Sequence, residues 1–240
     1  MLEVKNLKKR FGDFEAVKGI SFTVPKGEVL GFLGPNGAGK STTMRMITGF
    51  LPPTSGTAVI CGHDIGSDPV GAKGCIGYLP ESAPSYRGMI VEEYLKFIAE
   101  IRGFHGKVAK EKVEAVIEKA RLAPVAKKAI DTLSKGYRQR TCFAQAIIHD
   151  PKVLIMDEPT DGLDPNQKHT VREMIKEMSA EKAIVISTHI LEEVDAVCTR
   201  AVIIADGEIK ADGTPAKLKA MDASGRLDVV FRNLTNGGEK

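Results

Sequence analysis

The sequence predicts an α/β protein with a mainly parallel sheet and a helical insert, and three observations carry that expectation. In the second half, apolar strand-like runs alternate with helical segments, which implies parallel strands joined by crossover helices. The first third reads as short strands broken by turn residues. Between about Met89 and Ile148 the hydrophobic period becomes that of helices.

Taken in chain order, Ile20 to Val24 alternates, Pro25-Lys26-Gly27 turns, and Glu28 to Leu33 is an apolar run that ends in a glycine-rich loop. Thr42 to Thr48 reads as a helix. In the insert, Val91, Leu95 and Ile98 share one helical face, and Val113, Val116, Ile117 and Ala120 share another. Strands return with Val153 to Met156, Ala183 to Ser187 and Ala201 to Ala205, with helical segments between them. The Asp206-Gly207 pair, followed by Glu208-Ile209-Lys210, predicts a hairpin. There is no internal repeat or linker, and the polar tail Asn236 to Lys240 is expected to fray.

At 240 residues the chain suits one large domain, or a core that carries a subdomain. Its 34 basic and 31 acidic side chains leave a charge of only +3, too small an excess for the phosphate-neutralising face of a dedicated nucleic-acid binder. With glycine counted, roughly half the residues are apolar, which excludes wholesale disorder. No window approaches the roughly 18 uninterrupted apolar residues of a spanning helix, and the start lacks a basic region followed by an apolar one. The chain is therefore expected neither to span a membrane nor to be secreted by the usual route. Cys61, Cys75, Cys142 and Cys198 are far apart, with no C-x-x-C pair, and read as reduced thiols.

The chemistry begins at Gly34-Pro35-Asn36-Gly37-Ala38-Gly39-Lys40-Ser41, which matches G-x-x-x-x-G-K-[ST] after a strand and before a helix. Glycines let backbone N–H groups wrap phosphates, and the helix N-terminus adds positive potential. Lys40 would reach the outer phosphates and Ser41 would offer a hydroxyl to magnesium. The glycine spacing is not the G-x-G-x-x-G of a dinucleotide fold. Val153 to Glu158 is a buried-strand pattern ending in two carboxylates, placed where open sheets bind ligands. Asp157 fits a magnesium ligand, and Glu158 could orient or deprotonate water. Leu133 to Arg140 opens a helix with Ser134 as its N-cap, and such an end is also a second anion site.

The Leu133-Ser134-Lys135-Gly136-Tyr137-Arg138-Gln139-Arg140 run, lying between the two phosphate-site motifs, resembles the signature of ABC proteins. Over nearly all its length the chain resembles the ATP-binding subunit of an ABC transporter. The fold so implied is the ABC ATPase fold: a P-loop NTPase core with a mainly parallel sheet, an N-terminal antiparallel β region, and a helical signature subdomain. The single domain 1–240 would then divide into a catalytic core, 1–82 and 150–240, and a subdomain, 83–149.

Further pieces agree with the family in order. Phe11 stands where an aromatic stacks on adenine, a core aromatic being the alternative. Thr160 to Asp164 resembles the D-loop, and otherwise is a turn with a helix cap. His189 resembles the switch histidine, which contacts the terminal phosphate. Gly77 to Glu81 occupies the Q-loop position, and Leu227 to Thr235 resembles a tail segment of one exporter branch. Glu81 replaces the usual glutamine; an ionised glutamate accepts but cannot donate. Its Tyr-Leu-Pro-Glu setting resembles ATPases of the drug-, antibiotic- and gliding-motility-type export branch.

What the resemblance implies is an ATPase that dimerises around two ATP molecules and powers a separate membrane permease, an exporter, from the cytoplasmic face of the membrane. The ATP-binding set is Phe11, Val17, Asn36, Gly37, Ala38, Gly39, Lys40, Ser41 and Thr42. Lys40, Glu158 and His189 are catalytic; Ser41, Glu81 and Asp157 are the magnesium candidates. Ser134, Gly136 and Gln139 act on the partner's nucleotide, and Asp164 belongs to the D-loop. The dimer is of two copies or of two related chains, and no nucleic acid is expected. The alternatives are a soluble ABC ATPase acting on nucleic acid or the ribosome, for which a coiled-coil insert or a second cassette is missing from the sequence, and a nucleotide-dependent scaffold.

Overall fold

A computed structural model describes residues 1–82, 85–86 and 88–235. The expected fraying of residues 236–240 lies outside them. The chain opens with a long antiparallel hairpin, β1 (Leu2–Phe11) and β2 (Phe14–Val24), in which Leu2 pairs with Val24 and Phe11 with Phe14. The expected strand at 20–24 is only its last part. β3 (Val29–Leu33) leads into α1 (Lys40–Ile47); β4 (Ser55–Ile60), β5 (His63–Asp64), α2 (Pro69–Gly74) and β6 (Ile76–Leu79) follow. The strands β1, β4 and β6 lacked a signal of their own in the sequence.

Among the described residues of 83–149 are the α-helices α3 (Val91–Ile101), α4 (Gly106–Lys119) and α5 (Lys135–Ile147). Then come β7 (Val153–Asp157), α6 (Pro165–Ser179), β8 (Ala183–Thr188), α7 (Leu191–Val197), β9 (Arg200–Ala205) and β10 (Glu208–Gly213). The chain continues through α8 (Pro215–Lys219) to α9 (Leu227–Thr235), so the tail segment is a helix, with Leu227 and Val230 buried.

Two sheets result. The smaller is antiparallel, in the order β2-β1-β4-β5; the larger has six strands, β10-β9-β3-β8-β7-β6, parallel throughout except for the β9–β10 hairpin at Asp206-Gly207. Every residue of β3, β7 and β8 is buried, which explains their unbroken apolar runs: a strand covered on both faces has no reason to alternate. One core joins the two sheets and α1, where the rings of Phe22 and Phe32 lie 5.4 Å apart. Truncating a fully buried phenylalanine such as Phe32 costs about 3–5 kcal/mol. A second core packs α3, α4, α5 and α6 on the other face, and contains Val91, Leu95, Val113, Val116 and Ala120 as expected. A third lies under α7, α8 and α9. All four cysteines are free thiols. Among the described residues no helix is long and apolar enough to cross a membrane.

Candidate functional site

The site is assembled by strand order. β3, β8 and β7 are adjacent and parallel, with Leu33 opposite Thr188 and Asp157 opposite Ser187, so their C-terminal ends lie side by side. The loop 34–41, His189 and Glu158 leave from those three ends. This edge is where open α/β sheets hold ligands.

In the loop, Gly37 and Gly39 take left-handed conformations, with φ of 81° and 102°. At Gly39 a side chain is excluded twice over, because a Cβ would also lie 2.6 Å from the Ala16 carbonyl oxygen. The tight path turns the chain directly into α1, whose first residue is Lys40. The Lys40 ammonium is nearly buried and donates to the carbonyls of Gly34 at 2.7 Å and Pro35 at 3.2 Å. It lies 3.5 Å from Glu158 Oε1. Next to it, Ser41 Oγ donates to Asp157 Oδ1 at 3.2 Å, and Ser187 Oγ donates to the same oxygen.

Glu158 is locked from several directions. Its N–H donates to the Ser187 carbonyl at 3.1 Å and to Ser187 Oγ at 3.2 Å, and its φ of 49° is left-handed, which is costly for a residue with a side chain. His189 Nδ1 lies 3.0 Å from its second oxygen, Oε2. An ionised carboxylate only accepts, so with Glu158 ionised the proton of this bond belongs to His189. One oxygen thus faces a cation and the other a histidine.

The 133–140 run builds a second structure. Ser134 caps α5 by accepting from the Tyr137 N–H at 3.4 Å, as its sequence context suggested. The helix start is then joined to the segment that follows Glu158. Lys135 pairs with Asp161 at 3.4 Å, Gly136 faces the Gln167 side chain so closely that a Cβ would lie 2.4 Å from it, and Gln139 Nε2 donates to the Pro159 carbonyl at 3.3 Å. Asp164 caps α6, accepting from the Gln167 N–H at 2.9 Å, with Pro165 at the first helical position.

Lys40, Ser41, Asp157, Glu158 and His189 are therefore brought together, while Ser134, Gly136 and Gln139 join the 159–167 segment. Asn36 and Gly37 are exposed on the loop, Thr42 is half-buried on α1, and Ala38 is buried. Val17 is fully buried among the core residues of the two sheets and also reaches the loop: a Cβ at Gly39 would lie 3.3 Å from Val17 Cγ2, beside the Ala16 carbonyl oxygen. Gln139 is buried, with its Nε2 donating to the Pro159 carbonyl, so it stands within the junction of α5 and the 159–167 segment.

Phe11 lies at the tip of the β1–β2 hairpin, 48% exposed, with the Lys9 ammonium 5.1 Å above its ring, so it is not a core aromatic. Glu81 is exposed just beyond β6; together with Asp157, and after burial itself, its charge helps push the Tyr78 phenol up to about 12. Ser187 was missed by sequence reasoning, because its place opposite Asp157 is set by the register of adjacent strands and leaves no signal in the sequence.

The residues present fit a nucleoside polyphosphate. A cavity of about 580 Å³ opens beside the loop, walled by Phe14, Glu15, Ala16, Gly37, Asp206 and Gly207. They also fit magnesium. Ser41 and Asp157 offer two hard oxygens at the loop, and among the described residues no three His, Cys, Asp or Glu side chains converge into a cage. Magnesium characteristically takes one or two protein oxygens and completes its shell with phosphate and water.

Comparisons with known proteins bear on the family and the fold. A family model described as ABC transporter matches residues 17–161. The chain is 38% identical over 226 residues to the probable multidrug ABC transporter ATP-binding protein YbhF of Escherichia coli (strain K12), covering 93% of this chain but only 39% of that protein. It is 41% identical over 219 residues to the linearmycin resistance ATP-binding protein LnrL of Bacillus subtilis (strain 168), covering 91% of this chain and 70% of that one. A solved structure described as the ATP-binding subunit of an ABC transporter superposes with a TM-score of 0.87 at 30% identity, covering 98% and 99% of the two chains. A dimeric post-hydrolysis cassette, MJ0796 bound to ADP and Pi, superposes with a TM-score of 0.80 at 22% identity, covering 89% and 98%.

Proposed function

The chain belongs to the ABC transporter family, and on that premise we propose that it is a magnesium-dependent ATPase subunit which, as a dimer, powers a separate membrane exporter. The observation that carries this is the convergence of Lys40, Ser41, Asp157, Glu158 and His189 on one sheet edge, with Lys40 and Glu158 3.5 Å apart.

In this reading the loop amides and the N-terminus of α1 hold the phosphates of ATP, and Lys40 offsets charge on the outer ones. Glu158 accepts the proton of the water that attacks the γ-phosphate, and His189 holds the other carboxylate oxygen so that Oε1 stays aimed at the reacting side. Ser41 and Asp157 would hold magnesium, with Glu81 as a further candidate; when bound, the ion neutralises charge on the β- and γ-phosphates. Phe11 stacks on the base. Ser134 and Gly136, at the start of α5 with Gln139 behind them, cap the nucleotide held by a second chain. Domain 83–149 then carries the signature, and 1–82 with 150–240 carries hydrolysis.

The permease docks from the other side of the same machinery. A groove of about 800 Å³ runs between the end of α1 and α3, walled by Arg45, Phe50, Tyr78, Ser82, Ile101 and Arg102. Phe50 and Ile101 are 76% and 65% exposed, large apolar side chains at the rim of a surface that adjoins β6 and Glu81. The chain thereby sits peripherally at the cytoplasmic face of the membrane. The names of YbhF and LnrL, a multidrug transporter protein and a resistance protein, favour export. Cysteines placed at Ser82 and Ile101 should crosslink to an integral-membrane protein in native membranes; crosslinks only from the α8–α9 surface would overturn this docking. Magnesium-dependent phosphate release by the purified chain tests the ATPase itself.

A further inference from the structure

Beneath the site are opposite buried charges that the hydrolysis scheme does not use. Glu193, on α7 four residues after His189, is 2% exposed; the Thr188 hydroxyl is near its carboxylate, but no cation is hydrogen-bonded to either oxygen. Across from it on α6, Arg172 is also largely buried. Its Nη1 donates to surface Glu192 at 2.8 Å, while its Nε and Nη2 are buried without an acceptor. A buried carboxylate without an ion pair beside a half-used, largely buried guanidinium is costly, and such a pair has a lower-energy arrangement. The two helices pack on each other.

Their positions give the pair a purpose. α7 starts just after His189, and α6 is capped by Asp164, at the end of the segment that begins with Glu158. Thr160, within that segment, also has a buried hydroxyl oxygen without a partner. Burial is the main influence that raises the Glu193 carboxyl above the usual range; the Thr188 hydroxyl and the cations of Arg172 and Lys168 work against it, and the Glu158 carboxylate adds to it. Glu193 is thus within electrostatic reach of Glu158 itself.

We propose that Arg172 and Glu193 are positioning residues for Glu158 and His189, held apart here by Glu192 and paired across α6 and α7 in the form that hydrolyses ATP. Arg172 exchanges the exposed carboxylate of Glu192 for the buried one of Glu193, a bidentate match of fork to carboxylate. The exchange draws the α6 and α7 segments together, and with them Glu158 and His189. The inference rests on the hydrolytic reading of the site.

The test is a set of steady-state ATPase measurements with thermal unfolding alongside. Glu193→Gln and Arg172→Met should each lower kcat about tenfold, with the KM for ATP within about twofold and the unfolding midpoint nearly kept. The double variant should be no slower than the worse single, as expected when two residues act as one unit. Glu192→Gln, a surface change that leaves Arg172 free for Glu193, should raise kcat about twofold. Unchanged kcat in Glu193→Gln, losses that multiply in the double variant, losses that follow a fall in the unfolding midpoint, or an unmoved kcat in Glu192→Gln would each overturn the pair. Glu158→Gln, run in parallel, separates the two ideas: turnover that survives there removes the hydrolytic reading, whereas its loss with an active Glu193→Gln removes only the pair.

Discussion

Lys40 Nζ and Glu158 Oε1 lie 3.5 Å apart, both nearly buried, and the other Glu158 oxygen lies 3.0 Å from His189 Nδ1. The phosphate-loop lysine and the carboxylate proposed as base thus meet before any phosphate intervenes. At 3.5 Å no atom fits between them, so a ligand that binds Lys40 must compete with Glu158 for the ammonium. A phosphate does so by taking Lys40 and leaving Glu158 for water.

Glu158→Gln keeps size and shape but removes the base, and should slow turnover by roughly 10²- to 10⁴-fold while nucleotide binding survives. With the bridging nucleotide intact, the variant should accumulate as an ATP-dependent dimer, whereas the unaltered chain should be mostly monomeric at equilibrium. Phosphate release and light scattering with and without Mg-ATP read the two effects separately. Wild-type turnover would remove the base assignment; a monomer at saturating ATP would remove the shared site.

Phe11 is half exposed, so truncating it should leave thermal unfolding nearly unchanged. Its loss should appear in affinity instead: Phe11→Ala should weaken ATP binding by about 1–3 kcal/mol and Phe11→Tyr should preserve it, as expected of a stacking platform. Titration with a fluorescent ATP analogue measures both. An unmoved affinity in Phe11→Ala would assign the base to other residues of the hairpin, such as Phe14, which lines the adjoining cavity.

Glu81 is exposed at the end of β6. Glu81→Gln should keep nucleotide binding and leave magnesium-dependent hydrolysis within about tenfold, a change of at most 1.4 kcal/mol in the barrier. Total inactivity would make its charge essential to the site.

His149 supplies a pH dependence of stability remote from the chemistry. Its ring is held at the Ile76 carbonyl, 2.9 Å from Nε2, and burial pulls it down to about 4 from the ordinary 6.5. A histidine kept neutral in the folded state is protonated first in the unfolded one. Stability is therefore full above about pH 6.5 and is lost as pH falls towards 4. Denaturant unfolding should show a loss of about 1–2 kcal/mol between pH 7 and pH 5. His149→Gln should flatten that slope. Asp150, held below the usual range by its Lys182 bond, acts only at lower pH and should leave the window unaffected.

Much of this protein is legible in the sequence where chemistry and backbone constrain one another locally. Gly37, Gly39, Lys40 and Ser41 must follow one another because a phosphate cradle needs free dihedrals and then a helix start. The runs of β3, β7 and β8 reveal themselves by apolar continuity, and the Asp206-Gly207 hairpin by its turn residues. Ser134 and Asp164 announce helix starts. By contrast β1 carries Lys5, Lys8, Lys9 and Arg10 among its residues, and so hides a strand that only pairing with β2 and β4 makes evident.

What the sequence by itself determined is which groups the protein owns and the local geometry of each: the loop, the carboxylates at a strand end, the capped helices. Only the tertiary structure decided which of them meet. The order β3-β8-β7 sets Lys40 against Glu158 and Ser187 against Asp157. The packing of β2 on the loop sets Val17 and the Ala16 carbonyl against Gly39, and the packing of α5 on the 159–167 segment joins Gln139 to Pro159. The same packing leaves Arg172 and Glu193 buried and unmatched across two helices. The physical reason is one of range: dihedral preference and capping act within a few residues, whereas burial and ion pairing are settled by strands and helices that close packing brings together from far along the chain.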